Sequence, residues 1–224
     1  MDVVLFGGTG MVGQGVLREC LLDPDVKRVL TVGRSATGQK NDKLREVVLP
    51  DLTDYSRVGD DLSGYDACFF CLGVSSMGLS EAEYRRVTYD IAVAAGRALA
   101  DKNPDMTFIF VSGAGSDASG TSRTMWARVK GEAENAILKL PFGAAYVFRP
   151  AFIEPARGIA SRTRMYRVLY AFMRPLVPLL RVVFPRYVTT TERVGRAMLN
   201  VARTGAKSRV LENHEIDAAG APAR

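Results

Sequence analysis

The chain has 224 residues, of which 47% are hydrophobic and 24% are charged, and its formal net charge is +6. This composition is typical of a globular protein with a substantial core and excludes a disordered chain. Three cysteines are too few for a disulfide framework in a chain of this length.

The excess of positive charge is dispersed along the chain, and no RNA-binding or helix-turn-helix signature accompanies it. Nucleic acid is therefore not an expected partner. The longest apolar stretch, residues 168–185, contains Arg174 and Arg181 and makes a poor transmembrane helix. Because the first strand begins at about Asp2 and leaves no room for a targeting peptide, the sequence predicts a cytoplasmic protein.

Short apolar runs alternate with helical patterns through the first two thirds of the chain. Strands are predicted over residues 2–7, 26–34, 45–51, 65–73, 106–113 and 143–150, and helices over 11–23, 80–103 and 123–140. Ser80 and Glu83 have the spacing of a capping box at the start of the longest helix. Strands that are apolar on both faces and joined by helices predict a doubly wound parallel α/β sheet with helices on both faces.

No repeat or linker separates a second domain, so residues 1–224 are expected to form a single domain. After Pro150 the pattern loosens, and residues 151–190 are expected to form a small helical cap on the substrate side. A last short strand is predicted near residues 208–213. Interspersed arginines and apolar residues over 164–187 fit either a lid over the site or peripheral contact with a membrane or a protein partner.

Cys68 and Cys71 form a CxxC pattern inside an apolar run. Residues three apart on a strand point to opposite faces, so these two thiols cannot chelate one metal ion. We interpret them as small buried hydrophobic residues and expect no metal site.

The segment GGTGMVG, residues 7–13, follows the first strand and opens the first helix. Gly8, Gly10 and Gly13 satisfy GxGxxG, and Gly7 with the last two satisfies GxxGxxG. Glycines allow a tight turn and a close approach of the backbone to a pyrophosphate, which the helix N-terminus attracts. The segment therefore predicts a dinucleotide cofactor on a Rossmann fold, the alternative being a glycine-rich turn without a ligand.

The end of the second strand bears on the choice of cofactor. An NAD site usually places an acid there, whereas this chain has Arg34 and Ser35 with no acid nearby in the sequence. Arginine suits a 2′-phosphate, so NADP is favoured over NAD, unless Arg34 is only a solvated loop charge. Asp51 and Leu52 follow the third strand, where an adenine edge is expected. Gly73 ends the next strand and lets backbone run beside the cofactor.

Taken together, these features and the segments FCLG, VSGAGSD, ARVKGEAE and VFRP resemble the short-chain dehydrogenase/reductase superfamily. The resemblance is closest to its atypical branch, the Tat-interacting oxidoreductase family with NAD-dependent epimerase/dehydratase-like folds, and covers nearly the whole chain. It implies phosphate contacts at Gly7, Thr9, Gly10, Met11, Val12 and Gly13, a 2′-phosphate site at Arg34 and Ser35, adenine contacts at Asp51 and Leu52, a ribose path at Leu72 and Gly73, and nicotinamide-side contacts at Lys130, Arg149, Pro150 and Ile153.

The resemblance also implies catalytic positions. Ser112 would match the serine that polarises the substrate oxygen, with Ser116 as a competing choice, and Lys130 would match the lysine of the YxxxK motif. Trp126 stands where that motif has its tyrosine. An indole can donate a hydrogen bond but does not ionise usefully near neutral pH, so it cannot act as acid or base.

Trp126 is therefore a lost catalytic phenol, part of a remodelled substrate pocket, or ordinary helix packing. If reduction occurs, the proton must come from Ser112, from a water held by Lys130, or from a cap tyrosine such as Tyr166 or Tyr170. The sequence predicts an NADP-binding oxidoreductase acting on a small or lipid-like carbonyl compound. The alternative is a non-catalytic NADP(H) sensor.

Overall fold

The computed structural model describes residues 1–155 and 184–222. The strands are β1 (Asp2–Phe6), β2 (Arg28–Gly33), β3 (Leu44–Val48), β4 (Ala67–Phe70), β5 (Thr107–Val111), β6 (Ala144–Arg149), β7 (Phe152–Glu154), β8 (Val188–Thr190) and β9 (Val210–Glu212). The helices are α1 (Met11–Leu22), α2 (Glu81–Arg85), α3 (Ile91–Ala100), α4 (Met125–Leu138), α5 (Thr191–Thr204) and α6 (Asn213–Ala219). Short 3₁₀ turns occupy Asp60–Leu62 and Pro185–Tyr187.

Seven strands form one parallel sheet in the order β3-β2-β1-β4-β5-β6-β9. Alternate residues of each strand face opposite layers: in β1, Val4 and Phe6 pack toward α3 and α4, whereas Val3 and Leu5 pack toward α1 and α5. Burying both faces requires strands that are apolar throughout, as the sequence has. The predicted doubly wound Rossmann fold is confirmed, and the reversal of strand order between β1 and β4 sets the position of a binding crevice.

The predicted helix over residues 80–103 is confirmed, together with its start. The Ser80 side chain accepts from the amide of Glu83 at 3.3 Å, and the Glu83 carboxylate accepts from the Ser80 amide at 2.8 Å. Between α2 and α3 the helix contains a π segment, Arg86–Asp90, which the sequence did not predict. Such segments are rare and often lie at functional sites.

Helix α5 crosses α1 at close range through two glycines. A Cβ added at Gly15 would overlap the Thr191 side chain, and one added at Gly195 would lie 2.9 Å from Glu19 Cγ. Helix α5, which follows the predicted cap, therefore belongs to the layer that covers one face of the sheet.

The end of the chain carries the predicted last strand, β9, beside β6. The sequence did not predict β7 and β8, which pair in parallel as a separate two-stranded sheet. Asn213 joins the two sides of this region, since it accepts from the Ala151 amide and donates to the Arg186 carbonyl, both at 2.9 Å. Most of the predicted cap and of segment 164–187 lies outside the described residues. Within residues 1–155 and 184–222, no helix is both long and apolar enough to cross a membrane.

The two thiols of the CxxC pattern point to opposite faces of the sheet, as predicted. Cys68 packs in the layer of α3 and α4, and Cys71 packs in the layer of α1 and α5. Burial raises the pKa of both thiols well above the ordinary value, so both are neutral at physiological pH.

Candidate functional site

The glycine turn between β1 and α1 is a tight and specific structure. Gly7 has a φ of +78°, and a Cβ there would lie 2.7 Å from the backbone carbon of Cys71. Its carbonyl accepts from the Gly10 amide at 2.8 Å. A Cβ at Gly13 would overlap that same carbonyl, so the first turn of α1 can sit against the strand only if this residue is glycine.

The N-terminus of α1 is open to a ligand. Gly10 is the N-cap residue, no side chain caps it, and the first turn contains no acidic residue. The first amides of a helix lack partners within the helix, and the helix dipole gives that end a partial positive charge. The turn is therefore suited to bind an anion such as a diphosphate.

A cavity of about 570 Å³ lies directly over this turn, at the carboxyl ends of β1, β2 and β4. This is the crevice where parallel α/β sheets bind their ligands. Its volume is in the range of small-molecule sites, about 300–1,000 Å³. The cavity is lined by Gly7, Gly8, Thr9, Gly10, Met11, Thr31, Val32, Gly33, Arg34, Ser35, Thr37, Leu52, Cys71, Leu72, Gly73, Val74, Val87 and Ile91.

Many of the residues predicted to contact a cofactor thus border one cavity: Gly7, Thr9, Gly10, Met11, Arg34, Ser35, Leu52, Leu72 and Gly73. Val12, Gly13 and Asp51 do not line it. Asp51 is exposed and accepts from the amide and hydroxyl of Thr53 at 2.9 and 2.8 Å. Sequence reasoning missed Val87 and Ile91, which the π segment and the start of α3 bring to the wall.

Arg34 is exposed at the rim of the cavity, and it forms no ion pair with any residue in the described ranges. An acidic residue lies nearer to the Arg34 loop than the sequence suggested, because the pairing of β2 with β3 places Glu46 opposite Thr31. The Glu46 carboxylate accepts from the Thr31 hydroxyl at 3.1 Å and from the Thr37 amide at 2.7 Å. These bonds hold Glu46 beneath the loop that carries Arg34.

The second part of the candidate site is α4, which carries Trp126, Lys130 and Glu134 one turn apart on one face. The loop before α4 packs tightly on this helix: a Cβ at Gly131 would overlap the Asp117 carbonyl, and Asn135 donates to the Ala118 carbonyl at 2.7 Å. The loop therefore has a fixed position beside the three side chains.

Trp126 is half-buried, and its indole makes no hydrogen bond with the part of the chain that the structure describes. Its ring edge (Cη2) would lie 3.4 Å from a Cβ added at Gly115. Lys130 is also half-buried, with its Nζ 5.9 Å from the centroid of the Phe110 ring. Burial lowers the pKa of Lys130 to about 8, and the negative charge of Glu134 opposes this shift.

Ser112 is bound to a buried charge network that sequence reasoning missed. Its hydroxyl donates to Glu134 at 2.5 Å and lies 2.8 Å from the Ser116 hydroxyl. Glu134, only 1% exposed, also forms a two-point ion pair with Arg149, at 3.1 Å from Nε and 2.5 Å from Nη2. Arg149 reaches Glu212 on its other side at 3.3 Å. The Ser112 hydroxyl proton is therefore engaged in a hydrogen bond to the Glu134 carboxylate.

The predicted nicotinamide-side residues, Lys130, Arg149, Pro150 and Ile153, do not line the cavity. The Pro150 carbonyl accepts from the Ala114 amide at 2.9 Å, which joins the end of β6 to the loop after β5. Ile153 lies on β7 and is buried in the layer of α1 and α5. The roles of these residues toward a cofactor stay predictions, as do those of Ser112 and Lys130.

No protein-family model matches the chain. A relative, protein fmp52, mitochondrial, of Aspergillus clavatus, is 30% identical over 163 residues, which are 70% of this chain and 68% of the relative. The chain belongs to the FMP52 family. Protein FMP52-2, mitochondrial, of Scheffersomyces stipitis is 29% identical over 151 residues, which are 66% of this chain. The match spans 65% of that protein, just under two thirds of its length.

Solved structures with the same fold include two proteins in complex with nucleotide sugars. The protein MoeE5 in complex with UDP-glucose and NAD has a TM-score of 0.68 at 17% identity, over 95% of this chain and 75% of that one. A UDP-N-acetylglucosamine 4-epimerase from Methanobrevibacter ruminantium has a TM-score of 0.69 at 16% identity, over 94% and 75%. At these identities the likeness shows the fold of the short-chain dehydrogenase and epimerase proteins.

Two expectations change for this FMP52 chain. The resemblance to short-chain dehydrogenases and epimerases is confirmed at the level of the fold, but the relatives are FMP52 proteins and not Tat-interacting oxidoreductases. The expected cytoplasmic location is wrong, because the relatives are named as mitochondrial proteins. The expectation rested on the absence of a recognisable targeting segment, which is a weak guide to location.

Proposed function

We propose that this chain binds NADP(H) in the cavity above the glycine turn and acts as an oxidoreductase on a small or lipid-like carbonyl compound. One observation carries the proposal: the N-terminus of α1, which no side chain caps, faces a cavity of about 570 Å³. The turn that leads into this helix tolerates only glycine at Gly7 and Gly13. When bound, the nicotinamide would supply or accept the hydride.

Residues in the cavity and beyond it would hold the different parts of such a cofactor. The turn at Gly7–Gly13 would hold the diphosphate, and Arg34 with Ser35 would hold the 2′-phosphate. Leu52 and Asp51 would flank the adenine, and Leu72 with Gly73 would border the ribose path. Lys130 would hold the nicotinamide ribose, with Arg149, Pro150 and Ile153 on that side. Solved structures of this fold in complex with NAD support a dinucleotide of this type.

A second candidate function, a sensor that binds NADP(H) without turnover, is favoured by a specific observation. Trp126 cannot transfer a proton, and the Ser112 hydroxyl already donates to Glu134 at 2.5 Å. Trp126 can therefore offer a carbonyl oxygen at most a hydrogen bond, and the Ser112 hydroxyl is already engaged with a carboxylate. The cofactor site is common to both candidates, so binding and turnover must be measured separately.

Binding is measured through the fluorescence of Trp126, the single tryptophan of the chain. We expect NADPH to quench this emission in a saturable way, and to bind at least about tenfold more tightly than NADH, because a 2′-phosphate adds charge-assisted hydrogen bonds at Arg34. Thermal unfolding with each nucleotide gives an independent reading, since a bound ligand stabilises the fold. If neither nucleotide changes emission or stability, the proposed function is wrong.

Turnover is measured as NADPH consumption with a panel of aldehydes and ketones. The wild-type chain is compared with Trp126→Tyr, which restores an ionisable phenol one turn before Lys130, and with Trp126→Phe, which restores only the ring. We expect the tyrosine variant to gain about 10²-fold or more, the usual contribution of a general acid. Activity in the tyrosine variant alone supports the sensor, whereas clear wild-type turnover supports the oxidoreductase and rejects the sensor.

The relatives' names extend the proposal to location. We infer that this chain also works in mitochondria, as the names of its FMP52 relatives state for those proteins. The basic and apolar residues 164–187 remain candidates for contact with a membrane or a protein partner, on the sequence pattern alone.

A further inference from the structure

A single carboxylate oxygen holds the chain on both sides of Arg34. Glu46 Oε2 accepts a hydrogen bond from the Thr37 amide at 2.7 Å and another from the Thr31 hydroxyl at 3.1 Å. Thr31 lies on β2, three residues before Arg34, and Thr37 lies three residues after it. The Arg34 loop, residues 34–36, therefore lies between two threonines that are bound to the same oxygen atom.

The two threonines also contact the glycine turn. A Cβ added at Gly8 would lie 3.3 Å from Cγ2 of Thr31 and 3.3 Å from Cγ2 of Thr37. Both threonines line the cavity above this turn. The turn proposed to hold the diphosphate thus packs against the residues that flank the Arg34 loop, and Glu46 joins those residues to each other.

The two hydrogen bonds of Glu46 are not easily replaced. Without the carboxylate, the Thr37 amide would lose its acceptor, and the Thr31 hydroxyl would keep only the Arg45 carbonyl, at 3.5 Å. Hydrogen bonds to a carboxylate are roughly twice as strong as those between neutral groups. Removing this carboxylate should therefore release the Arg34 loop from β2 and from the glycine turn.

We propose that Glu46 is a positioning residue that sets the preference of this site for a 2′-phosphate, because it holds the Arg34 loop where the guanidinium can reach that group. The inference rests on the proposed function and deepens it. Glu46 does not line the cavity, so it acts through Thr31 and Thr37 and not by touching the nucleotide. A loop that is already ordered loses less entropy when it binds a ligand, which favours binding.

Two substitutions separate the hydrogen bonds of Glu46 from its charge. Glu46→Gln keeps an oxygen acceptor for both threonines and removes the charge, whereas Glu46→Ala removes the acceptor as well. We expect the alanine variant to bind NADPH about tenfold more weakly than the wild type, and the glutamine variant to stay within about threefold of it. NADH affinity should stay within about twofold in both variants, since NADH has no 2′-phosphate.

The experiment uses the full chain and two measurements. Quenching of Trp126 fluorescence by NADPH and by NADH gives the ratio of the two affinities, which a general loss of stability would not change selectively. Amide hydrogen exchange of the chain without nucleotide follows the Arg34 loop directly. The Thr37 amide should exchange faster in Glu46→Ala and should stay protected in Glu46→Gln.

Asp23→Asn is the matched control. The Asp23 carboxylate likewise accepts from a loop amide, that of Asp25 at 2.9 Å, but it lies at the C-terminal end of α1, away from the cavity. This variant should leave the ratio of NADPH to NADH affinity within about twofold of the wild-type value, because its loop does not border the site.

Loss of NADPH affinity in Glu46→Ala that Glu46→Gln restores supports the inference. An unchanged ratio of NADPH to NADH affinity, or an equal loss of both, overturns it and leaves the cofactor site in place. NADPH binding more than about threefold tighter in Glu46→Gln also overturns it, because the carboxylate would then act by repelling the phosphate. Failure of the proposed function gives a different result, a wild-type chain that binds neither nucleotide, and removes the site on which this inference rests.

Discussion

Replacing Arg34 by alanine should weaken NADPH binding by about 10- to 150-fold, the effect of losing charged hydrogen bonds of about 1.5–3 kcal/mol, and should leave NADH binding nearly unchanged. Arg34 lines the rim of the cavity, and it has no carboxylate partner in the described part of the chain. A 2′-phosphate, present only in NADPH, would be its natural partner. The measurement is the quenching of Trp126 fluorescence by each nucleotide.

The control for this prediction is Arg57→Ala, which removes the same charge from an exposed position that does not line the cavity. It should change neither affinity by more than about twofold, because an exposed charge that does not line the cavity is screened by salt and solvent. An equal loss of NADPH and NADH affinity in Arg34→Ala would contradict the 2′-phosphate role. In that case Glu46, held beneath the same loop, becomes the residue to examine for NAD binding.

Replacing Gly13 by alanine should lower the free energy of unfolding by about 3 kcal/mol or more and abolish nucleotide binding. The added methyl group would overlap the Gly7 carbonyl, which already accepts from the Gly10 amide at 2.8 Å. Since both partners are backbone, α1 itself would have to move away from β1. Urea denaturation followed by circular dichroism measures the loss of stability.

Gly73→Ala is the matched control, because an added Cβ there meets no described atom within 4 Å although the residue lines the same cavity. Its free energy of unfolding should stay within about 0.5 kcal/mol of the wild type. Its nucleotide affinity should still fall if backbone runs beside the cofactor at this point. Equal stability of the two variants would show that the glycine turn is not under the steric constraint described above.

The features of the fold that are local in sequence could be predicted. The capping box of Ser80 and Glu83, the apolar runs of β1 and β4, and the glycine turn each depend on residues a few positions apart. Gly7–Gly13 could be assigned to the start of α1 for the same reason. The position of the cavity beside the glycine turn could also be predicted, because the strands of a parallel sheet all end on the same side.

The features that were missed depend on residues far apart in the sequence. Glu46 comes to lie near the Arg34 loop only because β3 pairs with β2 in one register. The pair of Glu134 and Arg149 joins α4 to β6, and nothing in either segment alone marks it. The residues of the π segment, Arg86–Asp90, do not differ in type from those of an ordinary helix. Tertiary packing therefore decides where the π segment forms. Long-range pairing of this kind leaves no periodic signal.

The most direct test of the central claim is a crystal structure of the chain grown with saturating NADPH. We expect a diphosphate against the amides of residues 7–13, with the 2′-phosphate beside Arg34. Density for the nucleotide elsewhere on the chain, or a glycine turn without any ligand at saturating NADPH, would contradict it.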